Sequence, residues 1–132
     1  MPDDAPPSPG PCSCAGLRRA NRHLTQFYDQ RLAPAGLTVG QYSLLSNLAR
    51  HDPISPGAFA ERLAMDRTTM GRSLRPLERE GLVAVTVDPD DRRARLACIT
   101  RAGRIRLPAA QPLWAAAQTA FEARFGADRA EA

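Results

Sequence analysis

No lysine occurs among the 132 residues, so all 18 basic side chains are arginines, and the only histidines are His23 and His51. Two isolated histidines give no metal-binding pair. With no serine motif and no glycine-rich phosphate loop either, the signatures of a hydrolase or a nucleotide-handling enzyme are missing. The chain is therefore read as a non-enzyme with no cofactor and no metal. Cysteine is also scarce: Cys12, Cys14 and Cys98 make an odd number, which argues against a disulfide scaffold. No apolar run approaches the roughly 18 residues of a membrane span, and the N-terminus lacks the basic-then-apolar order of a secretory signal. The expectation is a cytoplasmic protein with no membrane segment, long enough to bury one core.

The arginines that are present are placed unevenly. Between Arg67 and Arg106, ten arginines face five acids, a balance of +5, while the whole chain carries +4 and the remainder is therefore −1. Charge confined to one contiguous third is the pattern of a surface that meets a polyanion.

Within that third, Met65 to Gly81 reads as a single capped helix. Asp66 is placed to accept the orphan N–H groups of the first turn, and Gly81 supplies a left-handed stop. At 100° per residue, Met70, Leu74 and Leu77 share one narrow apolar face, and Thr68, Arg72, Arg75 and Arg79 gather opposite. Guanidinium forks match phosphate oxygens and the O6/N7 edge of guanine, so the face reads either as solvated or as nucleic-acid-binding, and its flanks decide.

Upstream, residues 1–13 carry the prolines and acids of a disordered tail. Leu17, Ala20, Leu24, Phe27 and Tyr28 recur at helical spacing over 14–34, until Pro34 and Gly36 interrupt. Thr38 with Gln41 has the spacing of a capping box and opens a second helix through Leu44, Leu45 and Leu48, closed by His51-Asp52-Pro53. Ile54 is at most a one-bridge strand. Ser55-Pro56 starts a short helix, Gly57 to Ala64, with Phe59, Ala60 and Leu63 inward. Two helices of about two and four turns across a tight turn have helix-turn-helix proportions. Downstream, the runs 82–87 and 94–100 predict a hairpin around a charged turn, Asp88 to Arg93. Arg92, Arg93 and Arg95 make it a basic wing, which favours the nucleic-acid reading of the helix before it. Thr100 caps a last helix from Arg101 to about Phe125, with Pro108 and Pro112 predicting a kink or break. Its stripe of Trp114, Ala117, Phe121 and Phe125 needs cover, from a second copy or from the first helix.

Leu63 to Thr69, Leu74 to Val83, Asp91-Arg92-Arg93-Ala94, and Gly36-Leu37-Thr38 with Gln41-Tyr42 together resemble the MarR family of winged-helix transcriptional regulators, over Cys14 to about Phe125. The resemblance implies a mainly α fold with a small β-wing, divided into a winged-helix lobe at 38–100 and dimerisation helices at 14–34 and 101–132. It also implies a homodimer that binds palindromic double-stranded DNA as a repressor and responds to a small aromatic or phenolic effector or to thiol oxidation. By position, Thr68, Thr69, Arg72 and Ser73 fall where the family meets the major groove. Arg93 falls at the wing tip entering the minor groove, and Asp91 where an acid braces the wing. Arg75 and Arg79 are assigned to phosphates from the helical wheel alone. His23, Phe27, Tyr28 and Tyr42 are candidates for the family's ligand pocket. Family chains continue into a further apolar helix, whereas this sequence ends soon after the Trp114 stripe, which implies a shorter chain or a smaller interface.

Cys12-x-Cys14, just before the first helix, carries two open readings. Thiols beside Arg18 and Arg19 are placed to be reactive sensors or, with His23, soft-metal ligands; otherwise they are inert. Cys98 is expected in the core. A second alternative is an adaptor whose arginine face binds an acidic protein.

Overall fold

The structure, a computed structural model, describes Gly10 and residues 12–126. The expected tail is thus mostly outside the described residues, as are residues 127–132 of the expected C-terminal dimerisation segment. The order is α1 (Ser13–Leu32), a 3-10 turn (Ala33–Ala35), α2 (Val39–His51), α3 (Pro56–Arg62), α4 (Arg67–Arg79), β1 (Val83–Asp88), β2 (Asp91–Ile99) and α5 (Arg101–Phe125). The fold is mainly α with a two-stranded antiparallel wing, as the sequence predicts. No described helix is long and apolar enough to cross a membrane.

Local side-chain caps set most boundaries. Thr38 and Gln41 form the reciprocal capping box of α2, and Asp29 of α1 accepts from the Val39 N–H at 2.7 Å. A first-turn donor is thereby satisfied from another helix. Ser55 caps α3, whose first residue is Pro56. The α3–α4 turn places Ala64 at φ 51, and Met65 N–H donates to the Ala60 carbonyl at 2.8 Å across it. That left-handed residue ends α3 earlier than the periodicity suggests, and leaves Leu63 half-buried.

The core unites Leu32, Leu45, Leu48, Phe59, Met70, Leu77 and Leu82, all fully buried, with Ala97 and Ala110. Each methylene withdrawn from water contributes about 0.8 kcal/mol, so the apolar stripes of α2, α3 and α4 hold the lobe together. Ile54 makes a single bridge to Ala97, extending the hairpin by one residue.

Two expectations are corrected. Pro108 and Pro112 do not break the last helix, which runs through both. Each proline deletes one N–H, while Leu107, Ala110, Leu113 and Trp114 pack against the core on either side of them; tertiary packing outweighs local propensity. The charged turn is also shorter than expected, since Asp91, Arg92 and Arg93 belong to β2. The first helix begins at Ser13, which puts Cys14 inside it and makes Cys12 its N-cap residue.

Candidate DNA-binding site

In α4 the buried residues are Met70, Leu74 and Leu77, and Thr68, Arg72, Arg75 and Arg79 are exposed. Asp66 fixes the start of the helix. Its Oδ1 accepts from the Thr69 N–H and its Oδ2 from the Thr69 hydroxyl, both at 2.8 Å. The bond from the Thr69 N–H, joined by that from its hydroxyl, holds the Asp66 carboxyl below its ordinary value. Thr69 therefore has its hydroxyl proton committed to the cap. Ser73 is half-buried on the flank of α4, in a cleft with Thr38, Gly40 and Gln41 of the α2 start. The four residues aligned with the family's groove contacts are thus not equivalent: Thr68 and Arg72 point outward, and Thr69 and Ser73 lie to one side. Arg72, Arg75 and Arg79 share one open groove with Glu78.

The wing is built by pairing Val83 with Ile99 through Val87 with Arg95, after which the register shifts and Asp88 meets Asp91. The shift leaves Arg92, Arg93 and Ala94 without partners in β1, and a bulge of this kind re-aims the side chains it contains. The Asp91 carboxylate accepts from the Arg93 N–H at 3.0 Å, and Asp88 does the same for Asp90 at 2.9 Å. Each carboxylate thereby folds its own strand end over the turn. Arg92, Arg93 and Arg95 are all exposed.

The arginines divide by use. Among the described residues the sole salt bridge is Arg104–Asp52 at 2.6 Å, and Arg106 donates to the Ala35 carbonyl at 3.2 Å. Arg72, Arg75, Arg79, Arg92, Arg93 and Arg95 have no acid within salt-bridge distance among the described residues. Six exposed guanidinium groups on one helix and the adjoining hairpin make a positively charged surface, of the kind that suits phosphate oxygens and base edges.

The end of α4 is bolted to the start of α5. Gly81 takes φ 73, and its carbonyl accepts from the Thr100 hydroxyl at 2.6 Å; the Thr100 hydroxyl oxygen in turn accepts from the Gly103 N–H at 3.1 Å and caps α5. Gly103 is where the backbones meet: a methyl there would stand 2.3 Å from the Leu82 carbonyl oxygen and 2.7 Å from Ile99 Cγ1. Asp52 adds a second tie, accepting from the Ile99 N–H at 3.2 Å while pairing with Arg104. Helix α5 is in this way tied to both the end of α4 and the wing.

The four pocket candidates do not line one cavity: His23, Phe27 and Tyr28 cluster on α1, with the Phe27 and Tyr28 rings edge-to-face at 5.9 Å, and Tyr42 stands apart from them. Tyr42 lines an open cavity of about 530 Å³ between α2 and α5, with Ser46, Arg50, Gln111 and Trp114. Its ring stacks on Trp114 at 5.8 Å and 21°. Burial pushes the Tyr42 phenol up, and Arg50 pulls it the other way. His23 and Phe27 line a separate cavity of about 440 Å³ with Phe121, Arg124 and Phe125 at the far end of α1 and α5. Tyr28 is buried and donates to Gln118, and burial, then Glu122, raises its phenol.

Arg50 and Trp114 were not among the sequence candidates. The Tyr42-Ser46-Arg50 spacing on one α2 face was a signal for Arg50, but Trp114 read as part of the apolar stripe until α5 was seen to cross α2. That stripe is partly covered from within the chain, by Tyr42 on Trp114 and by α1, whose Leu24 and Phe27 line a cavity with Phe121 and Phe125, yet Phe125 remains 49% exposed.

Cys12 and Cys14 are exposed free thiols, and Cys98 is half-buried. Burial, with Asp52, raises the Cys98 thiol above its ordinary value. A metal site joining Cys12 and Cys14 to His23 is corrected: Cys14 and His23 are nine residues apart on one helix, about 13 Å of rise. Among the described residues no group of three potential ligands converges.

Comparison with known proteins matches this arrangement. A family model described as MarR family matches residues 35–94. The transcriptional repressor NicR of Pseudomonas putida is 30% identical over 96 residues, covering 73% of this chain and 61% of NicR. The transcriptional activatory protein BadR of Rhodopseudomonas palustris is 38% identical over 103 residues, covering 68% of this chain and 59% of BadR. The chain thus spans about three fifths of these curated relatives. The DNA complex of the M. tuberculosis transcriptional regulator MosR superposes with a TM-score of 0.78 at 37% identity, covering 88% of this chain and 84% of that one. These relatives are transcriptional regulators, not enzymes, and the wing, the capped reading helix and the helices that flank them place the chain in the MarR family of winged helix-turn-helix regulators.

Proposed function

We infer that the chain is a DNA-binding transcriptional regulator, acting as a repressor that grips a palindromic operator as a homodimer. The observation that carries this reading is the clustering of six exposed arginines on α4 and the wing, none of them with a salt-bridge partner among the described residues. The homodimer rests on α1: every residue from Ser13 to His23 is exposed, with Leu17 at 71%. A bare half-helix that exposes Leu17, beside a half-covered aromatic stripe, is a surface suited to a second copy. Two copies place two α4 helices on successive half-sites. Thr68 and Arg72 read bases, with Thr69 and Ser73 contacting from the flank. Arg75 and Arg79 hold phosphates, and Arg92, Arg93 and Arg95 meet the backbone and minor groove. The test is a gel shift of the DNA adjoining the gene against random duplex, across salt concentrations. Tight, salt-sensitive and sequence-selective binding supports the reading. Absence of salt-dependent binding sinks it and favours an arginine face for an acidic protein.

The effector reading rests on the α2–α5 cavity. Its volume is in the range of small-molecule sites, about 300–1,000 Å³, and it offers stacked aromatics with Arg50 as a counter-ion for an aromatic carboxylate. Trp114 is the sole tryptophan, so its fluorescence reports occupancy directly. Salicylate and 4-hydroxybenzoate are expected to quench it saturably and to weaken DNA binding. Arg50→Ala should weaken the quench by about tenfold, a charge-assisted contact of about 1.5 kcal/mol or more. Quenching unaltered by Arg50→Ala removes this cavity from the mechanism.

A second reading is redox control, favoured by the exposure of both thiols at the first turn of α1. Two thiols pass two electrons and two protons to a hydroperoxide, which leaves as water and alcohol while the sulfurs join as a disulfide. Cys12 is the extended N-cap residue and Cys14 lies in the first turn of α1, so joining their sulfurs requires the start of α1 to rearrange. Peroxide should release DNA from the natural chain and not from the Cys12→Ser, Cys14→Ser double variant; release from both discards the thiols.

A further inference from the structure

A cation in the first turn of a helix faces the positive end of that helix's dipole and is disfavoured there. Arg67 is the first residue of α4. The adjacent acid does not relieve it, because both carboxylate oxygens of Asp66 are engaged by Thr69, and Arg67 forms no salt bridge among the described residues. Its guanidinium lies instead against Gly57 of α3: a methyl added at Gly57 would stand 3.1 Å from Cζ and Nε of Arg67 and 3.2 Å from Nη2. The missing side chain at Gly57 is what gives the guanidinium its seat. A local preference is broken here with no acid in return among the described residues, which is how a functional group stands out from a structural one.

The position of the seat indicates the missing partner. On the α4 wheel, Arg67 lies about 110° from the middle of the Thr68–Arg72–Arg75–Arg79 face, on the side opposite Ser73. A helix with that face in the major groove turns its flanks toward the two sugar-phosphate strands that border the groove. We propose that Arg67, seated over Gly57, is a DNA-phosphate contact that fixes how deeply and at what angle α4 enters the groove. The proposal rests on the DNA-binding reading above.

The test is fluorescence anisotropy of a labelled random-sequence duplex titrated with the full chain between about 50 and 200 mM salt. Arg67→Ala should lower the magnitude of the log K against log salt slope by about 0.9 and weaken binding about 5- to 10-fold near 0.1 M salt. Its Tm should stay level or rise, because an ill-placed cation has been removed. Gly57→Leu leaves every charge in place but fills the seat, and should reproduce part of the loss. An Arg67→Ala slope equal to that of the natural chain, with Arg79→Ala showing the loss, overturns the proposal and leaves the DNA reading intact. So does a lowered Tm with an unchanged slope, which would make Arg67 a structural residue. No salt-dependent binding by the natural chain would sink both.

Discussion

Helices α4 and α5 are both rich in arginine, both contain proline, and both begin at a side-chain cap, yet they use these features in opposite ways. In α4 the arginines face outward without partners, and the apolar face is a narrow stripe sunk in the core. In α5, Arg104 is tied to Asp52 and Arg106 to the Ala35 carbonyl. Positive charge on α4 awaits a partner from outside; Arg104 and Arg106 of α5 fasten one layer of the protein to another. The difference teaches that arginine count says little until the acids and carbonyls within reach are known.

The largest effect that tests this contrast is removal of the outward charge. The triple variant Arg72→Ala, Arg75→Ala, Arg79→Ala should lose about two phosphate equivalents, roughly 60-fold in affinity for random DNA near 0.1 M salt, and about a further tenfold on operator through the Arg72 base contact, with Tm little changed. Singly, Arg72→Ala should lose about 1–3 kcal/mol of preference for operator over random DNA, whereas Arg79→Ala weakens both alike. A triple variant that melts much earlier than the natural chain would mean that α4 arginines are structural after all, and the contrast would collapse.

Next in size is a change at the α5 joint that touches no charge. Gly103→Ala drives a methyl against the Leu82 carbonyl and Ile99, and overpacking of that kind costs about 1–3 kcal/mol. Thermal unfolding should fall by roughly 5–15 °C, while the salt slope of the fraction that remains folded is retained. Loss of slope at unchanged Tm would show that the joint sets the reading geometry rather than stability.

Much of this contrast was legible before any coordinates, because its components are local. The Thr38–Gln41 box, Ser55-Pro56, Asp66 and Thr100 each announce a helix start within four residues, and the Met70-Leu74-Leu77 stripe fixes which way α4 faces. What was misread depends on distant partners. Pro108 and Pro112 suggest a break only if α5 stands alone. The length of the wing turn depends on a register shift between two strands. The four pocket candidates share chemistry but sit on elements whose crossing no periodicity encodes, so Tyr42 parts from His23 and Phe27. Gly57 beneath Arg67 was invisible for the same reason.

The smallest effect separates the two caps. Asp66 and Thr100 both accept a first-turn N–H, at 2.8 and 3.1 Å, but only the first can titrate. Hydrogen bonding lowers the Asp66 carboxyl in the folded chain. A depressed acid contributes its stabilisation in full above its unfolded value, near 3.8, and loses it as pH falls through the lower folded value. The Thr69 amide should therefore lose protection from hydrogen exchange, after correction for intrinsic rate, as pH is lowered below that point. The Gly103 amide, held by a hydroxyl, should show no such step. Asp66→Asn keeps an acceptor without a charge to titrate and should flatten the Thr69 profile. If the step persists in that variant, the carboxylate is not its source, and the start of the reading helix is no more sensitive to acid than the start of the helix that holds it.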